Sequence, residues 1–276
     1  MRLNLRTRSR GFSLVELAVV LAIVGLLLGS LMYTLAAQTD QRNFEENRRR
    51  VEQARELVLA FAIVNGRLPC PATSTSSGDE GPPGGGSCTG YLPNSTNTTG
   101  FLPATAIGFR PVDASGFAID PWGNRLRYAV ASSATAPSGS AGCTAPSNPG
   151  AFTTAATLRS STNSISCAPL NLVICSASQH TDSGVSPPSC GTYGAVGDAV
   201  PVTNQRTVVA VIFSTGKNTA AGTGGTDEAE NVDNDGVFVW HESRPTGATG
   251  GEFDDQMTWI SVGEFYGRLI AAGVLP

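Results

Sequence analysis

The first 37 residues combine a basic head with a long apolar run, and this pattern limits the folds open to the chain. Four arginines precede the run, and no acid occurs among the first eleven residues. The arginines are Arg2, Arg6, Arg8 and Arg10. The run covers positions 12–37 and, as a helix, is long enough to span the roughly 30 Å hydrocarbon core of a bilayer. The pattern predicts a signal peptide or a membrane anchor.

Glu16 lies inside the apolar run and needs a physical explanation. A carboxylate deep in a membrane helix costs about 2.5–3.5 kcal/mol even on lenient scales. Cleavage between Gly11 and Phe12 would create an α-amino group one helical turn away, able to pair with Glu16 of the same chain or of a neighbour. The alternative is an ordinary signal peptide cleaved after Ala36 or Ala37, which the buried acid disfavours.

Residues 11–17, Gly-Phe-Ser-Leu-Val-Glu-Leu, resemble the prepilin-peptidase site of type IV pilins and of the pseudopilins of type II secretion systems. The resemblance implies cleavage after Gly11, N-methylation of Phe12 and burial of the helix in a filament core through Glu16. It also implies an inner-membrane, single-pass location, with the C-terminal domain in the periplasm or in an extracellular filament. The implied partners are other pilin or pseudopilin subunits, prepilin peptidase, the inner-membrane assembly platform and membrane lipid.

The helix is expected to continue beyond the apolar run. Positions 38–65 contain no Pro or Gly, and apolar residues recur every seven positions along one stripe. The stripe consists of Phe44, Asn47, Val51, Ala54, Val58 and Phe61, with Asn47 its single polar member. Asn65-Gly66 followed by Pro69 predicts the end of the helix. A helix over 12–65 would be about 80 Å long. A coiled-coil stem is the alternative, but few heptads are present.

The remainder of the chain predicts an α+β, pilin-like fold, in which one antiparallel sheet packs on the second half of the helix. Five segments have strand-like patterns, and a short helix is expected to close the domain over 264–272. The strand candidates are 125–130, 170–175, 207–213, 237–240 and 257–262, of which 207–213 is continuously apolar and therefore central. The expected regions are a basic leader (1–11), a transmembrane or filament-core helix (12–37), its amphipathic continuation (38–66) and an extracytoplasmic, disulfide-containing β-rich domain (67–276).

Composition and cysteine content favour an exported domain. Without the four leader arginines, 14 basic residues face 22 acidic ones, so nucleic-acid binding is disfavoured. All six cysteines follow the helix, and an even number in an exported domain predicts disulfides. They are Cys70, Cys88, Cys143, Cys167, Cys175 and Cys190. Six cysteines allow 15 sets of disulfides. One of these is sequential pairing, in which Cys70 is bonded to Cys88, Cys143 to Cys167 and Cys175 to Cys190. The sequence contains no Cys-x-x-Cys spacing of the kind that binds zinc.

Two later segments also resemble the major pseudopilin of type II secretion. They are Asp-Pro-Trp-Gly-Asn at 120–124 and Phe-Ser-Thr-Gly-Lys at 213–217, the latter followed by a glycine-rich loop and a run of acids. Long inserts and six cysteines depart from that compact subunit. The resemblance therefore implies a minor or divergent member of the family.

The acidic run at 227–235 predicts a cation site. Five carboxylates within nine residues repel one another, and hard oxygen ligands on a flexible loop suit Ca²⁺. The matching loop of pseudopilins holds a structural calcium, which implies Asp227, Asp233 and Asp235 as ligands, with backbone carbonyls near Ser214 or Gly216. A solvated acidic turn is the alternative. An EF-hand starting at Asn231 also fits the spacing, but 237–240 reads as a strand rather than the loop end that enters a helix.

Enzyme signatures are scarce, so no catalytic residue is expected. The chain has two histidines, and the Ser-Thr-Gly-Lys sequence at 214–217 lacks the glycine and hydroxyl residues that a phosphate-binding loop needs. The leading hypothesis is a non-enzymatic filament subunit. The alternative is a membrane-anchored, calcium-dependent adhesion or binding module that does not polymerise.

Overall fold

The computed structural model describes residues 13–86, 88, 100–131, 152–159, 172–178, 190, 200–203, 207–218, 225–233, 236–248 and 251–275, with the side chains at 30–37 and 157 outside the description. The elements are α1 (Leu14–Asn65), α2 (Ala104–Ile107), β1 (Arg127–Val130), α3 (Ala155–Leu158), β2 (Val173–Cys175), β3 (Val208–Ser214), α4 (Thr226–Glu230), β4 (Val237–Val239), β5 (Gln256–Ser261) and α5 (Val262–Ala271). The chain divides into two compact units, Met1–Glu45 and Glu46–Pro276.

Helix α1 contains 52 residues and confirms the predicted long N-terminal helix. It ends where the sequence predicts, because Gly66 adopts a left-handed φ of +65° and its N–H donates to the carbonyl of Ala62 at 2.8 Å. Among the residues described, no helix has the combined length and hydropathy needed to cross a bilayer. The transmembrane character expected of 12–37 is therefore not shown.

In the second unit, the predicted apolar stripe of α1 packs in the main core from position 47 to position 61. Val51, Ala54 and Val58 are almost fully buried, and Phe61 packs against the same core. Asn47 is also fully buried, and neither its amide nitrogen nor its amide oxygen has a hydrogen-bond partner. Burial of the stripe stabilises the helix, whereas the buried amide of Asn47, which has no hydrogen-bond partner, lowers that stability.

The main sheet is antiparallel and has the strand order β1-β3-β5. Tyr128 of β1 pairs with Ile212 of β3, and Val211 of β3 pairs with Trp259 of β5. All seven residues of β3 are buried, so its prediction as a central strand is confirmed. The sheet and α1 together support the α+β class.

The expectation of one sheet is wrong, because β2 and β4 form a separate parallel pair in which Val173 lies opposite Val237. Parallel pairing needs a long crossover, and the chain between Cys175 and Val237 includes β3 and provides it. Both strands are buried at every position. Such continuously apolar strands have no alternation that would indicate their direction or partner.

Disulfides and a buried ion pair stabilise the regions outside the helices and strands. Cys70 is bonded to Cys88 and Cys175 to Cys190, as sequential pairing expects. Cys143 and Cys167 lie outside the described residues. Near the first disulfide, Arg67 donates to both carboxylate oxygens of Glu80, at 2.8 and 2.6 Å, and both side chains are buried.

Candidate functional site

Three buried carboxylates meet where α4 lies beside the start of β5. Glu228 belongs to α4, whereas Asp254 and Asp255 immediately precede β5. One carboxylate oxygen of each residue lies within 4.8 Å of the other two. The exposed fractions are 7%, 4% and 6%, so solvent screens these charges poorly. We call this group the carboxylate cluster.

Neutral donors hold the carboxylate cluster in place. Glu228 accepts the backbone N–H of Asp254 at 2.6 Å and the amide of Asn218 at 3.0 Å. Asp254 Oδ2 accepts the backbone N–H of Lys217 at 2.8 Å. Asp255 accepts the amide of Asn231 at 2.7 Å. These bonds orient the oxygens without supplying positive charge.

Burial and mutual repulsion make simultaneous ionisation of the carboxylate cluster unfavourable. Burial, reinforced by the charge of Asp254, raises the pKa of Glu228 to about 7. Burial also raises the pKa of Asp254, with a further contribution from the charge of Glu252. The pKa of Asp255 is raised well above its usual value by burial and then by the other two cluster charges. A bound cation would offset all three effects.

The donor chemistry of the carboxylate cluster fits a hard divalent cation. Asp254 Oδ1 is buried and has no hydrogen-bond partner, so it retains a free lone pair beside two other carboxylates. Oxygen donors of this kind are typical ligands of Ca²⁺, which tolerates irregular coordination better than Mg²⁺ does. Calcium would supply structural charge compensation at this position.

The acids that meet in the structure are not the three predicted as calcium ligands. Asp227 lies outside the carboxylate cluster: its carboxylate accepts the backbone N–H of Ser178 at 2.9 Å and pairs with Arg244 and His241. Burial alone would raise its pKa, but these hydrogen bonds lower it below the ordinary value. Asp233 is exposed in the turn after α4, and Asp235 lies outside the described residues.

Asn231, the first position of the EF-hand alternative, has a structural function instead. Its amide nitrogen donates to the carbonyl of Val239 at 3.1 Å, and its amide oxygen accepts the N–H of the same residue at 2.7 Å. Val237–Val239 forms strand β4, so in the part that the structure describes, this segment is not an EF-hand loop end that enters a helix.

The turn after β3 joins the two segments that resemble the major pseudopilin. Ser214 Oγ donates to Asp120 at 2.8 Å, and the amide of Asn124 donates to the carbonyl of Gly216 at 2.6 Å. The carbonyl of Gly216, expected as a possible ligand, is therefore already engaged. Gly216 contributes differently: a Cβ at this position would lie 1.8 Å from Asp254 Oδ1, so only glycine fits beside the carboxylate cluster.

In the N-terminal unit, Glu16 lies in the first turn of α1. Its backbone N–H donates to Ser13 Oγ at 3.2 Å. Ser13 is therefore the N-cap, and the Ser-x-x-Glu spacing is that of a capping box. The capping function of Ser13 was not predicted, although the Ser-x-x-Glu spacing indicates it. Gly11 and Phe12 lie outside the described residues.

The part of α1 around Glu16, positions 14–28, exposes large apolar side chains on every face. Exposed apolar residues on all sides of a helix need another apolar environment, either lipid or protein. They are Leu14, Val15, Leu17, Val19, Val20, Leu21, Ile23, Val24, Leu26, Leu27 and Leu28.

The comparison with protein families concerns this same segment. Residues 6–32 match the family model described as the prokaryotic N-terminal methylation motif. The chain carries the type IV pilin and pseudopilin signature. For a pilin-type chain, this motif implies processing by prepilin peptidase and interaction with other pilin subunits, and it fits a membrane-anchored protein. No curated protein and no solved structure matches the chain.

Proposed function

We propose that this pilin-type chain is a non-enzymatic structural subunit, minor or divergent, of a type IV pilus or a type II secretion pseudopilus. Prepilin peptidase cleaves between Gly11 and Phe12 and methylates the new N-terminus. The helix then leaves the inner membrane and packs in the filament core, while the β-rich unit faces the periplasm or the cell exterior. The matched motif at 6–32 is the observation that carries this proposal.

Glu16 is proposed to fix the position of one subunit relative to the next in the filament. Its carboxylate would neutralise the α-amino group of a neighbouring Phe12, which converts the cost of a buried charge into a directional contact. The exposed apolar residues around Glu16 support burial of this turn in an assembly.

Substitution of Glu16 tests assembly separately from processing. Glu16→Gln keeps a residue that functions in a capping box but removes the charge. We expect the variant to be cleaved and to fold normally but to be depleted from sheared filaments in immunoblots. Glu45→Gln, at an exposed acid of the same helix, is the matched control. Incorporation of Glu16→Gln at the wild-type level would refute the proposed function of Glu16.

Crosslinking distinguishes a filament subunit from an anchored adhesion module that does not polymerise. Val20 and Val24 are about half exposed, and cysteines there would meet those of neighbouring helices in a filament core. We expect oxidation in cells to give a ladder of multimers. A protein that is processed and membrane-bound but remains monomeric would support the anchored module instead.

The carboxylate cluster is proposed to bind calcium as a structural ion. Glu228, Asp254 and Asp255 would be the carboxylate ligands, and the unpartnered Asp254 Oδ1 supports this assignment. The ion would join α4 to the start of β5. We expect the melting temperature of the full chain in detergent to fall when a chelator is added and to recover with Ca²⁺. An unchanged melting temperature would refute the calcium proposal.

A further inference from the structure

A cleft of about 690 Å³ lies within the second unit, between α1 and the outer edge of the main sheet. One wall is the face of α1 that carries Glu52 and Arg55. The other wall is the segment 256–259 of β5, together with Trp240 and Ser243. The volume is within the range typical of small-molecule sites, so the side chains in the cleft decide which ligand fits it.

Two tryptophans give the cleft an apolar ring surface. The rings of Trp240 and Trp259 lie 5.9 Å apart at an interplanar angle of 78°, which is an edge-to-face arrangement. Trp240 keeps 38% of its surface exposed, and Trp259 is partly exposed. An edge-to-face contact covers only part of each ring, so ring surface remains open to a ligand that carries a flat patch of C–H groups.

The side-chain amide of Gln256 offers the cleft an unused hydrogen-bond acceptor. Gln256 Oε1 is shielded from water and has no hydrogen-bond partner among the described residues, although the residue as a whole is partly exposed. The terminal torsion of glutamine is soft, so the amide can turn its oxygen toward a donor in the cleft. Such a donor would satisfy the oxygen, whereas a purely apolar ligand would leave it without a partner.

The formal charges of the lining residues balance, which favours a neutral ligand. Two arginines and two acids line the cleft, namely Arg48, Arg55, Glu52 and Asp255. Arg55 Nη1 is paired with Glu52 at 2.9 Å, so this guanidinium brings no free positive charge. The same pair still presents planar donors and acceptors, which suit neighbouring hydroxyl groups of a ligand.

Contacts from α1 disfavour an extended peptide at the edge of β5. Arg55 Nε donates to the carbonyl of Trp259 at 3.1 Å, and Thr258 Oγ1 donates to Glu52 at 3.4 Å. The carbonyl of Trp259 is therefore already engaged, and strand addition, which uses unpaired backbone groups, would have to displace Arg55. A compact ligand fits the cleft without this cost.

We propose that the cleft binds a neutral sugar unit of an oligosaccharide. The face of the sugar ring on which C–H groups gather packs on the exposed ring of Trp240. The sugar hydroxyls pair with the amide of Gln256 and with the Arg55–Glu52 pair. A sugar combines an apolar ring face with several hydrogen-bond donors and no charge, and the lining favours this combination. The proposal is independent of filament assembly.

The test titrates the full chain with neutral disaccharides and tetrasaccharides of glucose, galactose, mannose and N-acetylglucosamine. The detergent must have no sugar headgroup, because such a headgroup would compete for the cleft. We expect at least one of these sugars to change the tryptophan fluorescence. Its saturation-transfer NMR signals should be strongest at the C–H protons of one ring face. Sorbitol, which has the hydroxyls without the ring, is the matched control and should not bind.

Variants assign the binding to the cleft, with affinities measured by calorimetry. Trp240→Ala should weaken sugar binding about tenfold, whereas Trp240→Phe, which keeps a ring, should weaken it less than about threefold. Gln256→Leu should weaken binding about threefold to tenfold. Its melting temperature without sugar should not fall, because the oxygen that it loses has no partner. Gln53→Leu, at an exposed glutamine of α1, is the matched control and should bind like the wild type.

Four results would overturn the proposal. The first is that none of the neutral sugars binds, and the second is that sorbitol binds as well as they do. The third is equal sugar binding by the wild type and by a folded Trp240→Ala variant. The fourth is tighter binding of charged sugars, or of acetylated and amidated pentapeptides of Val and Thr; the peptide result would assign the cleft to strand addition.

Discussion

Replacing Glu228 with glutamine should stabilise the metal-free protein at alkaline pH and remove its response to calcium. Glu228 has a pKa of about 7 in the folded chain, compared with 4.5 for an unperturbed glutamate. At 1.36 kcal/mol per pKa unit, this difference corresponds to an upper limit of ~3 kcal/mol for keeping the group ionised. Glutamine loses the hydrogen bond from Asn218, worth about 1 kcal/mol, so we expect a net gain of about 2 kcal/mol.

The sign of the pH dependence follows from the raised pKa. The folded state binds the proton of Glu228 more tightly than the unfolded state does, so this contribution to stability is full below about pH 4.5. It is lost as the pH rises through about 7. In a chelator, the wild type should therefore become less stable between these pH values, and Glu228→Gln should lose less. With calcium the order reverses, because the cation favours ionised ligands.

Urea denaturation of the full chain in detergent, followed by tryptophan fluorescence, measures both effects. The experiment compares the wild type with Glu228→Gln at about pH 5 and about pH 8, each with chelator and with calcium. Glu242→Gln is the control, because the Glu242 side chain is exposed. Destabilisation of Glu228→Gln in chelator at alkaline pH, or an equal calcium response of the two proteins, would show that the carboxylate cluster does not behave as described.

Three further substitutions test the packing, each by urea denaturation. Asn47→Leu should raise the free energy of unfolding by about 1–3 kcal/mol, because the buried amide has no partner, and a loss would reveal an unrecognised hydrogen bond. Glu80→Ala should lower it by about 3–5 kcal/mol, because Arg67 would remain buried and uncompensated; a change below 1 kcal/mol would contradict this. Gly216→Ala should destabilise by more than ~1 kcal/mol and weaken the calcium response, because its Cβ meets Asp254 and its φ is +64°. An unaffected calcium response would show that Gly216 does not influence the carboxylate cluster.

Local patterns were enough to predict helices α1 and α5 and most strands, but not the short helices α2, α3 and α4. The stripe through Val51 and Val58 identified the buried face of α1, and Asn65-Gly66 identified its end. The continuous apolarity of 207–213 identified the central strand, observed as Val208–Ser214. These features depend on residues that are close together in the sequence, so local patterns are enough to predict them.

Features that depend on distant residues were not predictable in the same way. The parallel pairing of β2 with β4 joins segments more than 60 residues apart, and no local pattern specifies it. The carboxylate cluster likewise combines Glu228 with Asp254 and Asp255, which only the packing of α4 on the start of β5 brings together. Asp227, although adjacent to Glu228, faces Arg244 instead.

The mature N-terminus provides the most direct test of the account, because every step of the proposed assembly depends on it. The full chain would be expressed in cells with an active prepilin peptidase and its N-terminal peptide analysed by mass spectrometry. The account predicts a chain that begins at Phe12 with a methylated α-amino group. A chain that begins at Gln38, or that still carries Met1, would contradict it.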